Sequence, residues 1–156
     1  MIRTKKRMRL CLTLLMLNLA FIWGNSLMPA EVSLGFSQWV KALLARFLSG
    51  DTPITEEGSG LLRKIAHFAE FAALGLCLAW RGGMLGKNPA KTFLSGVTAA
   101  AVDETIQRFV PGRNSSALDV LLDSSGVLTG MLLIYLGYTL RKRENHHSIN
   151  ILEETK

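Results

Sequence analysis

The chain has 156 residues, of which 49% are hydrophobic and 19% are charged, and its formal net charge is +6. The length suits one compact domain, and the apolar residues fall into long runs, which favours a helical membrane protein over a soluble one. The basic residues flank these runs without an interleaved aromatic surface, so we expect no nucleic-acid partner. Both cysteines, Cys11 and Cys77, lie inside apolar runs, which indicates buried thiols rather than a disulfide.

The N-terminal segment carries five basic residues and continues into an apolar run from Leu10 to Met28. No small residue stands at the −3 position of a cleavage site around Met28-Pro29-Ala30, and further apolar runs follow. We therefore interpret residues 10–28 as an uncleaved first helix, whose basic N-terminus lies in the cytoplasm.

A short apolar stripe follows at helical spacing within an otherwise polar segment. It is formed by Phe36, Trp39, Val40, Leu43, Leu44, Phe47 and Leu48. A helix of about 13 residues is too short to span a bilayer. We predict an amphipathic helix at residues 36–48 in the first outer loop, either flat on the outer membrane surface or packed as a lid on the other helices.

Three further spanning helices are predicted at about residues 61–80, 90–109 and 117–140. Basic residues cluster in the connection 81–91 and at 141–143, which places both on the cytoplasmic side. Val110-Pro111-Gly112 predicts an outer turn, and residues 144–156 are expected to form a mobile tail. The predicted fold class is therefore all-α: one domain over residues 1–156, an integral membrane bundle of four transmembrane helices with both termini cytoplasmic.

Polar residues recur at a similar depth on three of these helices. At ~1.5 Å rise per residue, His67 lies roughly 8 Å and Glu70 roughly 12 Å below the outer start of the second helix. Asp103 and Asp123 each lie about 9 Å below the outer ends of the third and fourth helices. Ionisable groups at this depth are costly in lipid, so we predict that they line one pocket that opens outward. The candidate binding residues are Lys64, His67, Glu70, Asp103, Glu104, Gln107, Arg113, Ser116, Asp119 and Asp123.

One face of the fourth helix is polar at its outer end and small further in. It carries Ser116, Asp119, Asp123, Gly126 and Gly130. The Gly126-xxx-Gly130 spacing predicts that another helix approaches closely beneath the polar pocket.

Structural roles compete with functional ones at several of these positions. Ser116-x-x-Asp119 is typical of a helix start, and His67 alone is typical of a hydrogen-bonded packing group. Arg113 fits either an ion pair with Glu104 or a phosphate clamp, and Lys64 is the expected partner of Asp119. No tight ligand spacing is present, so we expect no metal and no cofactor.

These residues also carry a resemblance to a known family. The ordered set is Lys64-x-x-His67-Phe68, Asp103-Glu104-x-x-Gln107, Arg113-x-Ser115-Ser116-x-x-Asp119 and Gly126-xxx-Gly130. From about Trp23 to Tyr138 the chain resembles the VanZ-like membrane family, with Asp123 in place of the family's usual Asn and Phe71 in place of an aromatic often written as Tyr. The resemblance implies a protein of the bacterial cytoplasmic membrane, linked to low-level resistance to teicoplanin-type glycopeptides.

Two classes of function follow from this sequence. In the first, the pocket binds an anionic lipid headgroup, a lipid-linked cell-wall precursor or a glycopeptide from outside, and membrane lipids are the main partners. In the second, the protein is an intramembrane enzyme that acts on a lipid or lipid-linked substrate. Its acid and base would then be drawn from His67, Asp103 and Glu104. Chelators would abolish a metal-dependent enzyme activity and spare simple binding.

Overall fold

The computed structural model describes residues 2–29, 31–32, 57–113 and 115–154. This part of the chain contains four α-helices and no strand: α1 (Ile2–Ser26), α2 (Glu57–Met84), α3 (Pro89–Arg108) and α4 (Ala117–Glu154). The all-α prediction is confirmed. The amphipathic helix predicted at residues 36–48 lies outside the described residues.

Three helices are longer than the apolar runs from which they were predicted. α1 already begins at Ile2, since the basic residues before Leu10 are good helix formers. The tail after residue 143, expected to be mobile, continues α4 as a helix to Glu154. Neither Gly nor Pro occurs between residues 141 and 154, and the Arg, Lys and Glu residues there favour a helix.

The connection between α2 and α3 shows which glycine ends a helix. Gly82 and Gly83 lie inside α2, which runs to Met84, beyond the predicted end near residue 80. The chain turns at Gly86, whose φ of 61° suits a residue without a Cβ atom. Asn88 then caps α3 by accepting a hydrogen bond from the Ala90 amide at 2.8 Å, with Pro89 as the first helical residue.

α2 packs more extensively on α4 than on any other helix among the described residues. Glycines make this approach possible: a Cβ atom at Gly126 would lie 2.6 Å from the Phe68 carbonyl oxygen, and one at Gly130 would overlap the Ala72 carbonyl oxygen. On the α2 side, a Cβ atom at Gly75 would overlap the Val127 carbonyl oxygen. The two backbones therefore touch along the Gly126-xxx-Gly130 face, as predicted.

The distribution of polarity is the reverse of that in a soluble domain. Asp103 and Asp123 are among the largest fully buried side chains, whereas Leu17, Phe21 and Leu94 are more than 60% exposed. Two segments, Thr4–Ser26 and Ala117–Arg143, are long and apolar enough to cross a bilayer. Extensive exposed apolar surface, together with buried carboxylates inside the bundle, indicates a membrane protein.

Candidate functional site

Three helices each contribute one ionisable side chain to a buried cluster. His67 on α2, Asp103 on α3 and Asp123 on α4 are 7%, 0% and 1% exposed. His67 Nδ1 lies 3.8 Å from Asp103 Oδ2 and 3.9 Å from Asp123 Oδ1. We refer to these three residues as the buried triad.

Hydrogen bonding within the buried triad is uneven. Gln107, one turn after Asp103 on α3, donates from Nε2 to Asp103 Oδ2 at 2.8 Å and to Ser26 Oγ at 3.2 Å. The amide thus links α3 to the end of α1 and fixes one carboxylate oxygen. Asp103 Oδ1 and both oxygens of Asp123 have no hydrogen-bond partner among the described residues. Buried polar atoms without a partner are uncommon, so these three oxygens need an explanation.

Glu104 lies beside the buried triad and connects α3 to the start of α4. Its Oε2 accepts a hydrogen bond from the Ser116 amide at 3.1 Å. Ser116 Oγ in turn accepts from the Leu118 amide at 3.2 Å, which makes Ser116 the N-cap of α4. The structure therefore gives Ser116 a helix-capping role, and Glu104 holds the segment that precedes the helix.

A small cavity opens above the buried triad. Its volume is about 20 Å³, enough for one water molecule or one ion. Lys64 and Asp119 stand at its edge with Nζ and Oδ1 3.8 Å apart, which is the pairing expected from the sequence. The residues that line the cavity are Arg63, Lys64, His67, Glu104, Gln107, Asp119, Leu122 and Asp123.

Arg113 serves a different part of the molecule. Its Nε donates to the Met28 carbonyl at 3.0 Å and its Nη2 to the Asn25 carbonyl at 2.8 Å, rather than forming the expected pair with Glu104. The guanidinium thus satisfies carbonyls at the C-terminus of α1, where a cation also complements the helix dipole. Burial, and then the nearby charge of Arg63, lowers the pKa of Arg113 below its ordinary value.

Glu70 also lies against α1 rather than on the wall of the cavity. Its Oε1 accepts from Asn25 Nδ2 at 3.1 Å, and its carbonyl oxygen accepts from Asn18 Nδ2 at 3.5 Å. The predicted pocket is therefore two connected polar regions. One surrounds the buried triad, and the other joins Glu70 and Arg113 to the last turns of α1.

The sequence reasoning overlooked four residues of these regions: Arg63 on the cavity wall, and Asn18, Asn25 and Ser26 on α1. Asn18 and Asn25 are seven residues apart, so they lie on one face of a helix. Polar residues at that spacing in an otherwise apolar run are a signal of a partner inside the bundle.

The chemistry available here follows from the charges. A histidine between two carboxylates can exchange protons as a general acid or base, and one nitrogen with several carboxylate oxygens can hold a cation. The ammonium group of the exposed Lys64 side chain lies at the edge of the cavity, and Arg63 lines the wall. The site is thus acidic at its base and basic at its opening.

Comparison with known proteins agrees with the motifs. Residues 10–138 match the family described as VanZ/LLP1, which is most of the chain. No curated protein and no solved structure matches the chain at a significant level. The chain belongs to the VanZ/LLP1 family.

Proposed function

We propose that this protein is a multi-pass protein of the bacterial cytoplasmic membrane that binds the phosphate-bearing headgroup of a lipid, or of a lipid-linked cell-wall precursor, at an outward-facing polar pocket. Membership of the VanZ/LLP1 family and the two apolar helices support the membrane location. Occupation of such headgroups would lower susceptibility to teicoplanin-type glycopeptides, in line with the family's association.

Four membrane spans are part of this proposal. α1 and α4 are apolar enough by composition. α2 and α3 hold their charged groups against other helices: His67, Asp103 and Glu104 are buried, whereas Ile65 and Leu94 are 54% and 63% exposed. Polar groups turned inward and apolar groups turned outward are the arrangement that a spanning helix needs.

Orientation follows from the positive-inside rule. The connection at residues 81–91 and the segment after Leu140 carry the basic clusters, so the pocket end faces out. Reporter fusions at Lys87 and Lys156 should read cytoplasmic, and one at Gly112 external. An external reading at Lys87 would invert the bundle and move the pocket to the cytoplasm.

The observation that carries the binding proposal is the pair of adjacent basic residues that line the cavity, Lys64 at its edge and Arg63 on its wall. Arg63 and Lys64 are adjacent on α2, and the Lys64 side chain is 57% exposed while its neighbour Asp119 is 27% exposed. A guanidinium and an ammonium at headgroup level suit a phosphate, to which Arg can donate two parallel hydrogen bonds. The cavity itself holds only one small group, so the headgroup would lie across the opening.

A lipid-binding measurement tests this. Purified full-length protein is titrated with phosphatidylglycerol, phosphatidylcholine and inorganic phosphate in detergent. We expect preference for phosphatidylglycerol over phosphatidylcholine, and about a tenfold loss of affinity in the double variant Arg63→Ala/Lys64→Ala, since loss of two phosphate contacts costs on the order of 1–3 kcal/mol. Arg141→Ala/Lys142→Ala removes the same charge at the far end and is the matched control. Equal losses of affinity in both double variants would mean that only the net charge of the protein matters, and would contradict binding at the pocket.

The His67 geometry supports a second candidate, an intramembrane hydrolase or transferase that acts on the same headgroup. Nδ1 lies within 4 Å of two carboxylates, a distance from which a carboxylate orients an imidazole and stabilises its protonated form. Release of phosphate or of the acyl chain from a lipid substrate, lost in His67→Ala, would establish this function. If the lipid stays unchanged over a long incubation while binding is saturable, the result supports a binding protein and contradicts the enzyme.

A further inference from the structure

We infer that His67, Asp103 and Asp123 bind one divalent transition-metal ion, Zn²⁺ or Mn²⁺, inside the bundle. This goes beyond the proposed function, because a metal site there needs no lipid. Each of the three residues offers a ligand atom that lies within 4.8 Å of those of the other two, and each comes from a different helix.

The distances are close to those of a coordinated ion. With metal–ligand bonds of about 2.1 Å, neighbouring ligands in a tetrahedral site lie roughly 3.4 Å apart. The separations from His67 Nδ1 are 3.8 Å to Asp103 Oδ2 and 3.9 Å to Asp123 Oδ1, and the three ligand atoms lie within 4.8 Å of one another. Side-chain movements of about an ångström would bring them to coordination distance. Asp103 can present either oxygen, of which Oδ1 is the one without a hydrogen-bond partner among the described residues.

The unpartnered oxygens are the second, independent observation. Both oxygens of the buried Asp123 carboxylate and Oδ1 of Asp103 lack a hydrogen-bond partner among the described residues. A single proton on Asp123, with Asp103 or His67 as its acceptor, would serve one Asp123 oxygen and leave the other without a partner. His67 Nδ1 carries at most one hydrogen, so it can serve only one of the two carboxylates.

A divalent cation resolves both problems. Two carboxylates beside a neutral imidazole carry two negative charges, which match the charge of the ion and remove the cost of burying them unpaired. Gln107 orients Asp103 from the second side, as a group behind a metal ligand commonly does, and leaves Oδ1 free. One imidazole nitrogen with carboxylates favours Zn²⁺ or Mn²⁺ over Mg²⁺ and Ca²⁺, which prefer oxygen ligands alone.

Three protein ligands leave at least one coordination position free. The cavity above the buried triad is lined by His67 and Asp123 and has room for one small group. That position is therefore open to water or to an anionic oxygen from the pocket, which is the form that catalytic or ligand-binding metal sites take.

Direct metal titration tests the inference. Full-length protein without a polyhistidine tag is stripped with chelator and titrated with Zn²⁺ or Mn²⁺ by calorimetry, with the bound metal counted by mass spectrometry. The variant His146→Ala/His147→Ala serves as background, because two adjacent histidines in the tail also bind metals weakly. We expect one tightly bound ion per chain, and an affinity about a hundredfold lower in Asp103→Asn and Asp123→Asn, which replace a carboxylate ligand with a neutral amide.

The matched control is Asp119→Asn, four residues before Asp123 on the same helix and at the same cavity. It should keep the stoichiometry and lose far less affinity than Asp123→Asn, because Asp119 supplies no ligand atom. Equal weakening by Asp119→Asn and Asp123→Asn would mean diffuse attraction to acidic groups and would overturn the inference. So would the absence of saturable binding to the wild-type protein.

A spectroscopic readout covers variants that fold poorly. Co²⁺ bound to wild-type protein should give the intense visible absorption of a four- or five-coordinate site, and His67→Ala should lose it. A spectrum equal to that of hydrated Co²⁺ in the wild type would contradict the site. These measurements contain no lipid, so metal binding can be confirmed while the proposed headgroup binding fails, and the reverse.

Discussion

The contact between α2 and α4 has two halves that differ in how well their groups are satisfied. In the inner half, Gly75, Gly126 and Gly130 let the backbones meet without gaps. In the outer half, His67 and Asp123 face each other at 3.9 Å, and both carboxylate oxygens of Asp123 lack a partner. Close packing in the inner half stabilises the fold, whereas the unpartnered carboxylate in the outer half destabilises it.

This difference separates folding from function. Between helices in lipid there is no hydrophobic driving force, so close van der Waals packing must supply most of the association energy. A buried carboxylate without a hydrogen-bond partner lowers the stability of the helix association by about 1–3 kcal/mol or more. Such unsatisfied groups are common at functional sites, and this observation supports the proposed role of Asp123 in binding.

The largest effect should come from filling the inner half. In Gly130→Leu the Cβ atom alone would overlap the Ala72 carbonyl oxygen, so α2 and α4 must separate and the cost exceeds about 3 kcal/mol. We expect little folded protein in membranes, measured as the monodisperse fraction after extraction. Gly126→Leu should behave in the same way, because its Cβ atom would lie 2.6 Å from the Phe68 carbonyl oxygen.

Gly137→Leu is the matched control, since a Cβ atom there meets nothing within 4 Å. It lies on the same helix and adds the same side chain. Normal folded yield for Gly130→Leu as well as for Gly137→Leu would show that the two backbones do not touch.

The second largest effect concerns the region that joins the pocket to α1. In Arg113→Ala the carbonyls of Asn25 and Met28 lose their donors, and we expect a loss of about 2–3 kcal/mol, the range for hydrogen bonds to a charged group. For a chain of this size that corresponds to a fall in Tm of roughly 4–12 °C. Thermal unfolding in detergent measures it.

Arg113→Lys distinguishes helix capping from charge. A lysine ammonium cannot donate to both the Asn25 and the Met28 carbonyls as the guanidinium does. Arg113→Lys should therefore recover less than half of the stability lost in Arg113→Ala. If Arg113→Ala kept its Tm but lost headgroup binding, Arg113 would belong to the binding surface instead of the α1 cap.

The buried triad and the polar region at α1 differ in how far the sequence could predict them. Asp103, Gln107, Asp119 and Asp123 follow helical spacing, and the Gly126-xxx-Gly130 pattern specifies its own close contact, so the core of the site follows from periodicity. Glu70 is expected in the pocket because it shares the depth of the other acidic residues, and Arg113 because it follows the outer turn as a candidate phosphate clamp. Depth along a helix does not specify the direction in which a side chain points, and both turn to α1.

The partners of those two residues lie on α1. Its polar residues, Asn18, Asn25 and Ser26, are few within a long apolar run, so the sequence alone does not indicate these contacts. The end of α4 extends beyond its apolar run because the residues after Leu140 include several good helix formers and neither Gly nor Pro.

In the outer half of the contact, substitution of Asp123 is expected to raise stability rather than lower it. In metal-free protein, Asp123→Asn replaces an unpartnered carboxylate with a neutral amide of the same shape, so we expect stabilisation by about 1–2 kcal/mol. Thermal unfolding after chelator treatment should show a Tm roughly 2–8 °C higher. With Zn²⁺ present the order should reverse, because only the wild type gains from binding the ion.

Asp119→Asn provides the comparison, because its carboxylate is partly exposed and already lies near Lys64. It should leave the Tm of metal-free protein nearly unchanged. Destabilisation by Asp123→Asn in metal-free protein would mean that its carboxylate is satisfied by a group outside the described residues, and the contrast between the two halves would fail.

The smallest effect is expected at the edge of the cavity. Lys64 and Asp119 are 3.8 Å apart, but the Lys64 side chain is 57% exposed, so solvent screens the pair and Lys64→Ala should cost less than about 1 kcal/mol. A double-mutant cycle with Asp119→Asn isolates the pair, and its coupling energy should fall further as salt is raised. A coupling above about 2 kcal/mol would be too large for a screened surface pair. The edge would then be part of the structural core, and Lys64 would not be free to meet an incoming phosphate.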